Sequence, residues 1–181
     1  MNFCSLCGAA VMQKTPPDDN RTRHVCTACG EIHYQNPKLI VGAIPEWEDQ
    51  ILLCRRAIEP RYGLWTLPAG FMENSETTPE AAARETLEEA NAQVEISALY
   101  AMYNLPYINQ VYLLFRAKLL NLNFSAGVES LDVQLFSEQD IPWDNIAFRP
   151  VTFTLQHYFA DRKTGNFQFH TGDIAPPARP R

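Results

Sequence analysis

No apolar run in this chain approaches the ~20 residues that cross a bilayer. The opening Met1-Asn2-Phe3-Cys4 lacks the basic segment and apolar stretch of a secretory signal. A cytoplasmic protein without membrane contact is the expectation. Positive charge is scarce: 15 Lys and Arg stand against 21 Asp and Glu, for a formal net charge of −6. A broad nucleic-acid surface needs clustered Lys and Arg, so nucleic acid is not expected as a partner. A site that gathers carboxylates around divalent cations fits the balance better. Cysteine is also scarce, and the odd count of five without a secretory signal disfavours a disulfide framework. No internal repeat is present. What remains is ordinary globular composition, 46% hydrophobic and 20% charged over 181 residues, enough for one catalytic-sized domain and a small module.

Four of the five cysteines fall within residues 1–36. They read C-x-x-C, then 18 residues, then C-x-x-C: Cys4, Cys7, Cys26 and Cys29. Gly8 and Gly30 follow the second cysteine of each pair. Four thiolates at this spacing suit tetrahedral Zn²⁺ in a ribbon. A redox pair normally opens a helix, and nothing helical follows either pair; two disulfides are the other alternative. His24 and His33 lie nearby but are not needed, because four thiolates complete the site. A module this small, with no periodicity long enough to make a core, needs such a staple. Lys14, Arg21, Arg23 and His24 give it mild basic character, read as a solvated face. Its expected role is support of the neighbouring domain or a dimer contact, with a homodimer as the expected assembly. Cys54, in the apolar run Ile51-Leu52-Leu53-Cys54, reads as core.

From Lys38 the pattern changes. Residues 39–44 and 50–55 read as strands joined by an acidic turn at Glu46-Trp47-Glu48-Asp49. The loop from Ala57 to Gly63 is broken by Pro60 and Gly63. Further strands are expected over 94–103, 111–119 and 131–136. A helix is expected over 150–162, with Pro150 near its first position and Gly165 as its stop. Strands mixed with helices and hairpins imply an α/β fold with a mixed sheet covered by helices. The domain is placed at residues 37–170. The proline-bearing tail, 171–181, is expected to be disordered.

A helix is also expected after Thr78, taken as its N-cap, with Pro79 at the first position and Glu80 near the positive end of the dipole. Ala83, Leu87 and Ala90 form a face able to pack on the sheet. Glu85 and Glu89 are four apart and share a face, and Glu88 is three from Glu85. Three carboxylates within about a turn repel each other unless a cation binds, and hard oxygen ligands suit Mg²⁺ or Mn²⁺. Arg84 has Glu88 and Glu76 as candidate partners. Alone, Arg-Glu-x-x-Glu-Glu is a common surface pattern.

The whole block from Gly70 to Ala92 resembles the Nudix box, G-x(5)-E-x(7)-R-E-U-x-E-E-x-G-U, where U is aliphatic. Gly70, Glu76, Arg84, Glu85, Glu88 and Glu89 fall in register. Thr86 replaces an aliphatic residue, and Asn91 replaces the second glycine while tolerating the same left-handed backbone. With the ribbon, Ile32 to Lys38 and Trp65 to Phe71, the chain is similar to the zinc-ribbon subgroup of that family. That subgroup holds NADH pyrophosphatases and FAD pyrophosphohydrolases. The resemblance implies an α/β/α sandwich and metal-dependent hydrolysis of a nucleoside diphosphate linked to another group. It implies that Glu85, Glu88 and Glu89 hold the metal, helped by a backbone carbonyl near Ala69-Gly70. Glu76 and Arg84 would then form an orienting pair.

A further carboxylate is implied on the loop before a late strand. The candidates are Glu129 and Asp132, with Glu129 favoured as extra ligand or water-activating base and a solvated loop residue as the alternative. Arg55, Arg56 and Arg61 are candidates for a phosphate contact, although any one of them is more often a surface residue. The downstream S-Q-P-W-P-F-P motif of NADH pyrophosphatases is replaced here by Ala101 to Gln110. A dinucleotide or nucleotide-sugar diphosphate such as FAD or ADP-ribose is therefore favoured over NADH. Tyr103, Tyr107 and Tyr112 offer faces for ring stacking or, alternatively, core packing. The rival functions are a nucleotide sensor with a DNA-binding ribbon, and a hydrolase of nucleoside triphosphates or capped RNA.

Overall fold

A computed structural model describes residues 1–176. The chain divides into two compact units, Met1–Pro37 and Lys38–Arg181. The first holds a small antiparallel sheet of β1 (Val11–Lys14), β2 (Arg23–Cys26) and β3 (Ile32–His33). Arg23 pairs with Asp19 at 2.8 Å and lies over the Tyr34 ring. Of its basic residues, Arg23 is thus neutralised locally rather than offered to a partner.

The second unit is built on an eight-stranded mixed sheet. Its strands are β4 (Lys38–Trp47), β5 (Gln50–Arg56), β6 (Trp65–Thr66), β7 (Ala69–Phe71), β8 (Val94–Leu105), β9 (Gln110–Leu119), β10 (Ser130–Phe136) and β11 (His170–Asp173). The main path runs β10-β5-β4-β9-β8-β11, with β6 on β5 and β7 on β4. β4 lies parallel to β9 and β11 parallel to β8; the other pairs are antiparallel. Helix α1 (Thr78–Ala90) covers one face and α2 (Arg149–Thr164) the other. Central β4 is buried on both sides, which explains its continuous apolar run. Val41 and Ala43 meet Ala81 and Ala82 of α1, whereas Ile40 and Ile44 meet Val151, Leu155 and Tyr158 of α2. Among the described residues, no helix is long and apolar enough to cross a membrane.

Three expectations are corrected. The N-cap of α1 is Thr77, not Thr78. With Thr77 as cap, Glu80 stands at the third position, and its carboxylate accepts the Thr77 backbone N–H at 2.7 Å. A Thr78 cap would put Ala81 there, which has no acceptor. Leu87 does not pack on the sheet; it is 49% exposed. The inward face is Ala81, Ala82, Thr86 and Ala90, whose small side chains let the helix sit close. Thr86 takes the aliphatic position without leaving a buried polar group, because its hydroxyl donates to the Ala82 carbonyl at 2.8 Å.

The tail is ordered as far as it is described. His170–Asp173 adds a parallel edge strand and Ile174 is buried. The anchor is Asp161 on α2, whose carboxylate lies 2.7 Å from His170 Nε2 and accepts the Tyr100 hydroxyl at 2.9 Å. The rest of the expected disordered tail, residues 177–181, lies outside the described residues.

Leu155 is fully buried between α2 and the sheet. Leu155→Ala should lower unfolding free energy in urea by about 2–5 kcal/mol. Leu87→Ala on the exposed side of α1 should stay within about 0.5 kcal/mol of the parent. Equal losses would refute this assignment of faces.

Candidate functional site

β7 runs antiparallel to β4, with Val41 opposite Gly70, and delivers the chain into the loop before α1. The Glu85 carboxylate lies against Gly70 and would have to shift for any larger residue. A Cβ at this position would stand 2.4 Å from both carboxylate oxygens of Glu85. The loop is then held to the helix by one guanidinium. Arg84 donates Nε and Nη2 to Glu76 at 2.9 and 2.8 Å. Nη1 reaches Glu85 at 2.8 Å and Glu88 at 3.1 Å, and Nη2 reaches the Phe71 carbonyl at 3.2 Å. Glu76 in turn accepts the Glu73 backbone N–H at 2.6 Å. The hydrogen bond from Arg84, with that from Glu73, holds the Glu76 carboxyl down at about 2. It is therefore ionised throughout the working range.

Glu85 and Glu89 lie on the buried side of α1, 8% and 7% exposed, whereas Glu88 is exposed. Burial pushes the Glu89 carboxyl up to about 8, and the charge on Glu85 adds to the push. Arg56 and a hydrogen bond from the Ala69 backbone act the other way. Burial also raises Glu85, against the pull of Arg84. The charge of Glu129, two residues after Gly127 whose N–H donates to the Glu89 carbonyl, adds weakly to both shifts. Cys54 lies in the core directly beneath, where burial and the charge on Glu89 raise its thiol.

The three arginines separate. Arg56 is 9% exposed, donates Nε to the Pro60 carbonyl at 2.9 Å, and rests over the Phe148 ring. Its two terminal amino groups have no protein acceptor among the described residues. Arg55 turns outward and donates to the Gly63 carbonyl, and Arg61 is exposed in a left-handed turn. Asp132 spends its carboxylate on the Val133 N–H and on Gln134. Tyr103 and Tyr112 are buried in the core, so their rings offer no stacking face; Tyr107 is 41% exposed. Phe148 beneath Arg56 had no local signal, because nothing in its sequence neighbourhood links it to β5.

The carboxylates face one region without converging. Among the described residues, the only group of three or more His, Cys, Asp or Glu whose ligand atoms all lie within 4.8 Å of one another is Cys4, Cys7, Cys26 and Cys29. Their separations of 3.4–3.8 Å exclude disulfides and approach the ~3.8 Å edge of a tetrahedron with metal–sulfur bonds of about 2.3 Å. Backbone N–H groups of Ala28 and Cys29 point at Cys26 Sγ, both at 3.4 Å, and lower that thiol to about 6. Such a set could hold a metal ion. His33 and His24 contribute no ligand atom to it.

A mixed sheet between two helices, one carrying an Arg-braced carboxylate cluster, defines an α/β/α sandwich joined to a four-cysteine ribbon. Residues 2–35 match the Nudix N-terminal zinc ribbon and residues 36–155 match the NUDIX domain. The chain thus belongs to the Nudix hydrolase family. A solved Nudix hydrolase from Nitrosomonas europaea is 60% identical, with a TM-score of 0.94, over 96% of this chain and 99% of that one. The NAD-capped RNA hydrolase NudC of Photobacterium profundum is 35% identical over 96 residues, 52% of this chain. The match spans only 34% of that relative's length. An ADP-ribose pyrophosphatase of Methanocaldococcus jannaschii is 28% identical over 113 residues, 60% of this chain and 67% of its own.

The raised Glu89 carboxyl has a thermodynamic consequence. Between the ordinary 4.5 and about 8 the folded chain holds a proton that the unfolded chain has released. Stability from this group is full below about 4.5 and is lost as pH rises through the folded value. In buffer without divalent cations, Tm should fall from pH 5 to pH 8. Glu89→Gln should flatten that slope, and Mg²⁺ at pH 8 should restore Tm. A calorimetric Tm that rises over this window would contradict the electrostatics described.

Proposed function

We propose that this chain is a pyrophosphohydrolase that cleaves the phosphoanhydride of a nucleoside diphosphate linked to another group, with ADP-ribose or FAD favoured. The observation that carries the reading is the pair of buried glutamates, Glu85 and Glu89, held one turn apart beside Glu88 and Glu129. Carboxylate oxygens are the donors a hard divalent cation takes; Arg84 pairs with Glu85, but buried Glu89 has no ion-pair partner among the described residues. The residues therefore fit Mg²⁺ or Mn²⁺, with Glu85, Glu88 and Glu89 as its ligands. When bound, such an ion neutralises charge on the phosphate oxygens and lowers the cost of ionising water.

The chain's own groups supply the rest. Glu129, exposed at the edge of the cluster, takes the proton of the attacking water. Arg56, with its Nε already fixed and its terminal amino groups free, grips a phosphate of the substrate. Arg84 and Glu76 keep the Gly70 loop against the helix. Tyr107, at the surface, is the remaining candidate for a base contact. Four cysteine sulfurs in one cluster support a structural Zn²⁺ in the ribbon.

Glu85→Gln and Glu89→Gln should each reduce kcat roughly 100-fold or more, a loss of about 3 kcal/mol of transition-state stabilisation, while the fold persists. The assay compares kcat/KM for ADP-ribose, FAD and NADH with Mg²⁺ and Mn²⁺. Wild-type turnover in either variant removes the cation assignment. Preference for NADH or NAD-capped RNA would favour the second reading, which rests on the NudC likeness. Elemental analysis of purified protein should find one zinc per chain. A folded, metal-free ribbon without disulfides would end that part.

A further inference from the structure

We propose that Asn91 is a positioning residue that ties the loop bearing Glu129 to the C-terminal end of α1 and so aims Glu129 at the site; this rests on the hydrolase reading above. Asn91 stands where the family pattern carries glycine, and its backbone meets the same demand. It is left-handed, with φ 47°, and its N–H closes the helix on the Leu87 carbonyl at 2.8 Å. Its side chain adds what glycine lacks. Nδ2 donates to Ser125 Oγ at 3.1 Å and to the carbonyls of Ser125 and Ala126, both at 3.3 Å.

The loop so held is seated on the last turn of α1. Ser125 N–H donates to the Ala90 carbonyl and Gly127 N–H to the Glu89 carbonyl, each at 2.9 Å. These carbonyls are ones a helix end leaves without partners. A Cβ on Gly127 would lie 1.8 Å from the Glu88 carbonyl oxygen, so no other residue permits this approach. Two residues on stands Glu129. Its own carbonyl accepts the Ala57 N–H at 2.8 Å, and Ser130 N–H closes a turn on Gly127 at 3.1 Å. Glu129 is therefore fixed between the end of β5 and the end of α1. Phe124 anchors the preceding segment on the core beside Ala90, whereas Leu120, Leu122 and Val128 are exposed. Beyond Phe124, the Asn91 amide is the polar side-chain tether at residues 125–126 that sets where Glu129 falls relative to Glu85 and Glu89.

Asn91→Gly isolates the amide, because glycine takes the left-handed turn readily and the helix keeps its end. With ADP-ribose and Mg²⁺, kcat should fall about tenfold, while KM and the Mg²⁺ half-saturation stay within about twofold. In a Glu129→Gln background the same change should alter kcat by less than about twofold, because the group being aimed is gone. Parental kcat in Asn91→Gly overturns the proposal. An equal fall in both backgrounds also overturns it, since Asn91 would then act through the helix alone. A parent protein that cleaves no diphosphate substrate brings down the hydrolase reading itself, and the proposal with it.

Discussion

Like charges on one side of α1 set the terms for the rest of the site. Glu85, Glu88 and Glu89 crowd a little more than one turn, and two of them are taken out of water. Water no longer screens them, so neighbouring groups must. Arg84 does this from the loop side with its whole fork, spending donors on Glu76, Glu85, Glu88 and the Phe71 carbonyl. The shape of the loop follows from that fork. Arg84 reaches back eight residues to Glu76, and Glu85 lies against bare Gly70. On the sheet side Glu89 is offset by Arg56 at a distance and by a hydrogen bond from the Ala69 backbone. The cluster stays under-neutralised there, as the raised Glu89 carboxyl reflects.

The parts of this arrangement that were legible from residues alone share one property: their spacing is local. The ribbon cysteines form two C-x-x-C knuckles, and the helix carboxylates recur at three and four residues. Both survive as written because the backbone geometry that brings them together lies within a few residues. The same holds for the left-handed Asn91 and for Gly165 ending α2.

What was not legible depends on distant partners. Leu87 reads as a core residue by periodicity. The sheet sets the rotation of α1, however, and the inward arc goes to alanines, Thr86 and the two glutamates. A buried Glu is the last residue periodicity would place inside. Tyr103 and Tyr112 are aromatic and polar enough to suit a binding face, yet their strands turn them into the layer beneath α2. His170-Thr171-Gly172-Asp173 has weak strand character, and only its pairing with Ala101 to Asn104 and the Asp161 anchor give it order. Arg55 and Arg56 look equivalent until strand parity sends one outward and the other towards the glutamates.

The two helices finish the argument by contrast. α2 follows the dipole rule: Arg162 and Lys163 occupy its last turn, at the negative end. α1 breaks it. Glu88 and Glu89 sit in its last turn and no basic residue does. Each charge there opposes the dipole, the other carboxylates and, for Glu89, its own burial. A sequence under pressure only to fold would exchange these residues at little cost to packing, since the helix contacts run through alanines and Thr86. Local rules are broken in this way where function needs the broken geometry. The breach here has a definite sign: the helix dipole, the neighbouring carboxylates and, for Glu89, burial all disfavour negative charge at that end of α1, and Arg84 and Arg56 offset it only in part. The uncharged tethers from Ser125, Gly127 and Asn91 hold the same end of the helix without relying on any titrating group. The frame around the site therefore keeps its shape while the charge inside it changes.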